Sequence, residues 1–200
     1  MTQVEEAVAA IRGGAVAVIP TDTVYGLVCT PHREEPVRRL SELKRRDPGQ
    51  PFALVAESVD ALIECVPELE GWAAVTVRAL LPGPYTLVLP NPARRFPWLT
   101  GARPSTIGVR VPELEGPGRE VLEQVGAVTA TSANLHRGAD PRRPADVPAE
   151  ILAEAVLVDG GELPGVPSTV LDFTGPEPRV LREGAVRVAE ALARARAALE

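Results

Sequence analysis

At 200 residues, 45% hydrophobic and 24% charged, the chain has the balance of a folded domain with its own core, which excludes disordered and fibrous classes. Twenty-one basic side chains against 27 acidic ones give a formal net charge of −6, which argues against a protein that coats nucleic acid but leaves room for a local basic cleft. Cys29 and Cys65 fit neither a metal spacing nor a redox pair, MTQVEEAVAA is not a secretory leader and no apolar run would span a bilayer; a reduced, cytoplasmic protein is expected.

Thr2 followed by Glu5 is a capping-box pattern. It opens a helix with Val4, Ala7, Val8 and Ile11 on the apolar side, closed by Gly13-Gly14. Ala15 to Ile19 runs apolar without alternation, the mark of a strand buried on both faces. The stretch PTDTVYGL, Pro20 to Leu27, breaks that run with two threonines, an aspartate and a tyrosine before Leu27-Val28-Cys29 resumes it. There Thr23 would face a ligand, Tyr25 would pack beside it and Gly26 would let the chain pass close.

Pro36, behind Glu34 and Glu35, begins a second helix with the stripe Val37, Leu40 and Leu43. Lys44-Arg45-Arg46 falls where the helix macrodipole favours cations. Asp47-Pro48-Gly49 reads as a turn, Phe52 to Ala56 as a strand, and Val59 to Cys65 and Trp72 to Leu81 as short helices. Strands follow at Tyr85 to Leu89, Ile107 to Val111 and Ala127 to Thr131, with a helix near Arg119 to Val125. Ala155 to Val158, Thr169 to Phe173 and Val180-Leu181 complete a set of about eight strands. Ala185 to Leu199 is a helix rich in Ala and Arg. This order predicts one α/β domain over residues 4–188, with 189–200 as the end of the last helix. Its strands and helices interleave too irregularly for a plain doubly wound sheet.

Five segments place hydroxyls, amides or cations where a strand or helix ends: Thr21 to Tyr25, Lys44 to Arg46, Thr131 to Asn134, Pro167 to Thr169 and Leu181 to Gly184. Strand ends in α/β folds open onto a common ligand-binding face. Cations on three connections (Lys44 and Arg46; Arg142 and Arg143; Arg182) suggest a polyanion there. Each unit-charge pair at 4 Å gains about 4 kcal/mol at an effective dielectric near 20, so several can hold a triphosphate. Taken singly, each segment has a plainer reading. Lys44 to Arg46 reads as a solvated helix end, Thr-Ser-Ala-Asn as an Asx turn and Pro-Ser-Thr as the start of a strand. Neither G-x-x-x-x-G-K-[ST] nor G-x-G-x-x-G is present, so a nucleotide would have to be held by side chains rather than by a glycine-rich loop.

Taken in order, PTDTVYGL at 20–27, Lys44-Arg45-Arg46, Ser132-Ala133-Asn134, PSTVLD at 167–172 and LREGA at 181–185 resemble the YrdC family of threonylcarbamoyl-AMP synthases, in its short single-domain form. The resemblance implies a twisted mixed sheet flanked by helices, with a concave substrate-binding face. It implies that L-threonine, bicarbonate and ATP become threonylcarbamoyl-AMP and pyrophosphate, with Mg as cofactor, for the N6-threonylcarbamoyladenosine modification of tRNA. The amine would capture carbon dioxide, and the resulting carbamate would attack the α-phosphorus. By the same resemblance, Thr23, Arg110, Ser132 and Ser168 surround threonine. Arg46, Gln50, Thr106, Asn134, Arg142 and Arg182 surround ATP, with Lys44 near its phosphates. Lys44, Arg46 and Arg182 are the implied catalytic residues, and no side chain is an implied metal ligand. Asp22 is the nearest candidate for a general base.

The chain departs from the family pattern in three places. Gln50 stands where relatives often have Asn or Lys, Val55 where some longer relatives have a threonine-contacting His, and His136-Arg137 where Ser-Gly is common. The implied next user of the product is a TsaD-containing transfer machinery. The competing reading is a non-catalytic module binding double-stranded RNA or tRNA, which the net charge disfavours.

Overall fold

The capping box at Thr2 forms. In the computed structural model, which describes residues 1–47 and 49–198, Thr2 Oγ1 accepts the Glu5 N–H at 3.2 Å and Glu5 Oε2 accepts the Thr2 N–H at 2.8 Å. Helix α1 (Gln3–Gly13) buries Ala7, Val8 and Ile11, and ends at Gly14, whose φ of 92° is left-handed. Strands β1 (Val16–Ile19) and β2 (Gly26–Cys29) are buried at every residue and pair antiparallel. Helix α2 (Glu34–Leu43) leads to β3 (Ala53–Ala56), α3 (Val59–Cys65) and α4 (Trp72–Leu80). Next come β4 (Tyr85–Pro90), β5 (Thr106–Arg110), α5 (Gly116–Val125) and β6 (Ala127–Ser132).

The short α6 (Ala149–Leu152) has no counterpart in the sequence reading. It precedes β7 (Ala155–Leu157), β8 (Thr169–Asp172), β9 (Arg179–Arg182) and α7 (Val188–Ala197). Helix α7 starts later than Ala185 because that residue's N–H is bonded to Pro167 O and the Val186 N–H to Thr169 Oγ1. Pro48 of the expected turn, and Leu199 and Glu200 of the expected tail, lie outside the described residues.

Among the described residues nine strands make one sheet in the order β7-β1-β2-β6-β3-β5-β4-β8-β9. The pairs β7/β1, β3/β5 and β4/β8 are parallel and the others antiparallel, so the sheet is mixed. Its two faces are covered unequally. Leu27, Leu54, Leu87, Ile107 and Leu171 form the larger core with Val37 and Leu40 of α2, Leu62 of α3, Val77 of α4 and Ala191 of α7. On the other face Ala17, Ile19, Val28, Val55 and Val128 pack beneath Ala7, Val8 and Ile11 of α1 and Val121 and Leu122 of α5. These two helices sit over β7, β1 and β6. Farther along, β5 and β4 alternate buried and half-exposed residues, and the half-exposed set lines an open hollow.

Candidate functional site

The hollow has a volume of about 430 Å³ and is reached by all five of the segments singled out above. The bend between β1 and β2 is made by Thr21. Its Oγ1 accepts the N–H groups of Thr23 and Val24, both at 3.2 Å, and donates to Val24 O at 2.6 Å. This turns Thr23 into the hollow, where its hydroxyl accepts from Arg110 Nη2 at 3.0 Å. Arg110, from β5, also pairs with Asp22, while Arg110 Nε and Asp22 Oδ2 are buried without a partner. Burial raises the Asp22 pKa, and the Arg110 charge works against that rise.

Two expectations for this stretch are corrected. Tyr25 sits in the larger core, its hydroxyl donating to Gly161 O at 2.8 Å and accepting the Gly160 N–H at 2.9 Å, because successive strand residues face opposite ways. A Cβ at Gly26 would meet nothing nearer than 3.4 Å, so no tight chain crossing demands glycine there.

The cations after α2 are not a solvated helix end. Arg45 adopts a φ of 53° and points outward to Glu150 at 2.8 Å, and that reversal sends Lys44 and Arg46 inward. Lys44 is 5% exposed and is the only lysine in the chain; every other cationic side chain of this class is arginine. Its ammonium donates to Ser132 O at 2.6 Å, to Asn134 O at 3.1 Å and to Asn134 Oδ1, with Ser132 Oγ at 3.3 Å. Three tetrahedral donors suit these converging acceptors as a planar guanidinium would not. Burial first, and then the neighbouring Arg46 charge, lowers the Lys44 pKa to about 8, with Asp140 opposing. Arg46 donates to Thr131 Oγ1 at 3.0 Å and to Pro51 O at 2.6 Å, and lies 4.6 Å over the Phe52 ring. Its Nε is buried and unpartnered.

Asn134 links this corner to the following loop. Its Oδ1 accepts from Ser132 Oγ at 2.9 Å, and its Nδ2 donates to Gly138 O at 2.6 Å and to Asp140 Oδ1 at 3.2 Å. That fixes the loop carrying His136 and Arg137, both of which line the hollow. On the opposite wall, Ser168 Oγ lies 2.9 Å from Thr86 Oγ1, and Arg182 Nη2 donates to Ser168 O at 2.9 Å and to Ser168 Oγ at 3.2 Å. Gly184 makes this crossing possible: a Cβ there would fall 2.1 Å from Pro167 O.

Gln50 and Thr106 line the hollow as well, Thr106 Oγ1 donating to Arg103 O at 3.0 Å. Of the expected site residues, Arg142 alone stays outside. It is exposed, pairs with Glu162 at 2.9 Å and donates to Leu163 O at 3.2 Å, because Glu162 captures both it and Arg143. Thr86, Arg103 and Asp140 line the hollow without having been singled out from sequence. Thr86 had a signal, since it shares a strand face with Val88 at spacing two. The others owe their place to long-range packing.

Electrostatically the hollow is the reverse of the protein. Among the described residues Lys44, Arg46, Arg103, Arg110, Arg137 and Arg182 line it, against Asp140 as the only carboxylate. A chain with a net charge of −6 has placed six of its 21 cations around one hollow, which suits a polyanion. Among the described residues no group of three or more His, Cys, Asp or Glu is placed to hold a metal ion, and no helix is long and apolar enough to cross a membrane.

This fold is that of a known family. The Sua5, YciO and YrdC family profile, described as telomere recombination, matches residues 9–184, and the chain belongs to that family. The threonylcarbamoyl-AMP synthase of Methylococcus capsulatus is 36% identical over 167 residues, which cover 82% of this chain and 88% of that protein. The structure titled P. abyssi Sua5 complexed with L-threonine superposes with a TM-score of 0.86 at 30% identity, over 97% of this chain and 58% of that one. E. coli YciO superposes with a TM-score of 0.79 at 28% identity, over 94% of this chain and 92% of that one.

Proposed function

We propose that the chain is an L-threonylcarbamoyladenylate synthase, a nucleotidyltransferase that makes threonylcarbamoyl-AMP and pyrophosphate from L-threonine, bicarbonate and ATP. The observation that carries this reading is the meeting of an arginine-and-hydroxyl corner with a second cationic wall inside one hollow. Arg110, Thr23 and Ser168 supply the first, with Ser132 nearby; Arg46 and Arg182 supply the second. In this reading the threonine carboxylate takes the part of Arg110 that lines the hollow, and the hydroxyls orient the rest of the amino acid. The triphosphate lies against Arg46 and Arg182, with Gln50, Thr106 and Asn134 beside the nucleotide, and Arg142 does not line the hollow.

The chemistry follows from position and charge. The uncharged threonine amine is carboxylated, a carbamate oxygen attacks the α-phosphorus, and pyrophosphate departs in line while the guanidiniums neutralise it. Lys44 acts at one remove: its donors are occupied by Ser132 and Asn134, so it holds that turn in place rather than reaching for phosphate. Asp22 orients Arg110 instead of serving as a base. A magnesium ion would arrive with the triphosphate and spread its charge, and among the described lining residues Asp140 is the carboxylate that would hold it. The product would then feed the TsaD-containing tRNA machinery in the cytoplasm. The test is to incubate the protein with ATP, bicarbonate and labelled threonine. Pyrophosphate release that depends on threonine is expected, and release that ignores threonine would refute the reading.

A further inference from the structure

On the open face of the sheet, side chains fall into rows that run across the strands. In one row Thr86 of β4 pairs with Val170 of β8, and Val170 with Arg182 of β9. In the next, Val88 of β4 pairs with Gly108 of β5 on one side and with Asp172 of β8 on the other, and Asp172 pairs with Arg179 of β9. Val88 and Val170 are half-buried, and a Cβ at Gly108 would meet nothing nearer than 3.7 Å. All three line the hollow, so beside the row that holds Arg182 they give it an uncharged floor.

Arg103 lines the hollow as well, and it is held at both ends. Its carbonyl accepts the Thr106 N–H and the Thr106 hydroxyl, each at 3.0 Å, which ties its backbone to the start of β5. Its Nη2 donates to Thr174 Oγ1 at 3.3 Å and lies 3.9 Å from Asp172 Oδ2, at the end of β8. Strand β4 runs between β5 and β8, so the side chain reaches across the strand that carries Val88. Asp172 is fully buried. Its Oδ1 accepts the Thr174 N–H at 2.9 Å and the Thr174 hydroxyl at 2.5 Å, and its Oδ2 accepts from Arg179 Nη2 at 2.9 Å. Burial works to raise the Asp172 pKa, but the Thr174 bonds, then the Arg179 bond and the Arg103 charge, hold it below the ordinary value. A charged, solvent-free carboxylate thus has two arginines on it, of which Arg103 lines the hollow and Arg179 does not.

We propose that Asp172 is a positioning residue that straps Arg103 across the floor of Gly108 and Val88, where the guanidinium plane stacks on the base of the bound nucleotide. This rests on the synthase reading, which sets the phosphates against Arg182 one row away. Guanidinium planes stack well on aromatic rings, bases included. The Arg103 charge already faces a buried carboxylate, which suits contact with an uncharged ring better than capture of a further phosphate. An exposed arginine left free would lose its rotamer freedom on stacking, whereas a strapped one has lost it before ATP arrives.

Calorimetric titration of the whole protein with ATP, in the absence of threonine, reads this directly. Arg103→Ala is expected to raise the Kd about tenfold, and Arg103→Lys, which keeps the charge and loses the plane, to match it. Asp172→Asn is expected to raise the Kd about fivefold in the wild-type background and to add nothing to Arg103→Ala, because it acts through Arg103. Arg179→Ala removes the other partner of Asp172 and is expected to leave the Kd within about twofold. Tripolyphosphate, which has no base, is expected to bind every variant within about twofold of wild type. Arg103 is exposed, so its variants keep the fold whatever Asp172→Asn does to it. An ATP Kd that Arg103→Ala leaves unchanged, restoration by Arg103→Lys, or losses from Arg103→Ala and Asp172→Asn that simply multiply would overturn the proposal. Tripolyphosphate weakened as much as ATP would put Arg103 on the phosphates and overturn it too. Threonine-dependent pyrophosphate release by the wild type alongside any of these results leaves the synthase reading standing, and wild-type protein that binds no ATP removes both.

Discussion

The two halves of the sheet are built from the same backbone and do different work. Toward β7 and β1, helices α1 and α5 cover the second face, and the strands there are apolar at every position. Toward β5, β4 and β8 that cover is absent, and threonine, arginine and glycine alternate with the core residues. A fully covered strand can spend both faces on burial, worth about 1.5–3 kcal/mol per large aliphatic side chain, whereas a half-covered one releases every second residue for chemistry. PTDTVYGL lies at the border, where the buried run of β1 gives way to Thr23 and Asp22 beside Arg110.

The sharpest way to break this contrast is to remove a cation from the open half. Arg46→Met should lower kcat/KM for ATP about a hundredfold or more, since a half-buried guanidinium lining the hollow, proposed above to meet phosphate, is lost, while circular dichroism shows the fold unchanged. Gly184→Ala comes next. Its methyl group cannot fit beside Pro167 O, so the crossing that joins Ser168 to Arg182 must shift, with a loss of about 1–3 kcal/mol in denaturant titrations and a fall in activity.

How much of this was legible beforehand differs between the halves. The covered strands announce themselves as unbroken apolar runs, and the capping box at Thr2 marks α1 to the residue. The alternation of Thr86 and Val88 is there to be read as well. What the sequence hides is which cations turn inward. Lys44 has the local pattern of a solvated helix end, and only carbonyls from Ser132 and Asn134, far along the chain, reveal that it is buried. Arg142 has the local pattern of a phosphate ligand, and Glu162, on a separate loop, draws it away. Local spacing predicts elements; which charges meet depends on pairing between distant segments.

The Lys44 proton sharpens the comparison with a smaller effect. Its pKa near 8 lies below the ordinary lysine value, so between the two the unfolded chain binds more protons than the folded one. Without added ATP the protein should therefore gain stability as pH rises through that window. ATP, by favouring the charged ammonium, should take up a proton on binding near pH 8, and its KM should rise above that pH. Calorimetry in buffers of differing ionisation heat measures the uptake, and selective nitrogen-15 lysine labelling gives a single side-chain resonance, because Lys44 is the only lysine. Proton release instead of uptake would contradict this account.

Arg142→Ala should do least. As an exposed partner of Glu162 it should change stability by about 0.5 kcal/mol or less and leave the KM for ATP within twofold of wild type. A large rise in that KM would show that the loop carrying Arg142 folds over bound nucleotide.

The most direct measurement is a crystal structure of the protein with L-threonine and a non-hydrolysable ATP analogue. The account predicts the threonine carboxylate on Arg110 beside Thr23 and Ser168, and the phosphates between Arg46 and Arg182 in the same hollow. Nucleotide bound at any other surface, or threonine that does not touch Arg110, would contradict it.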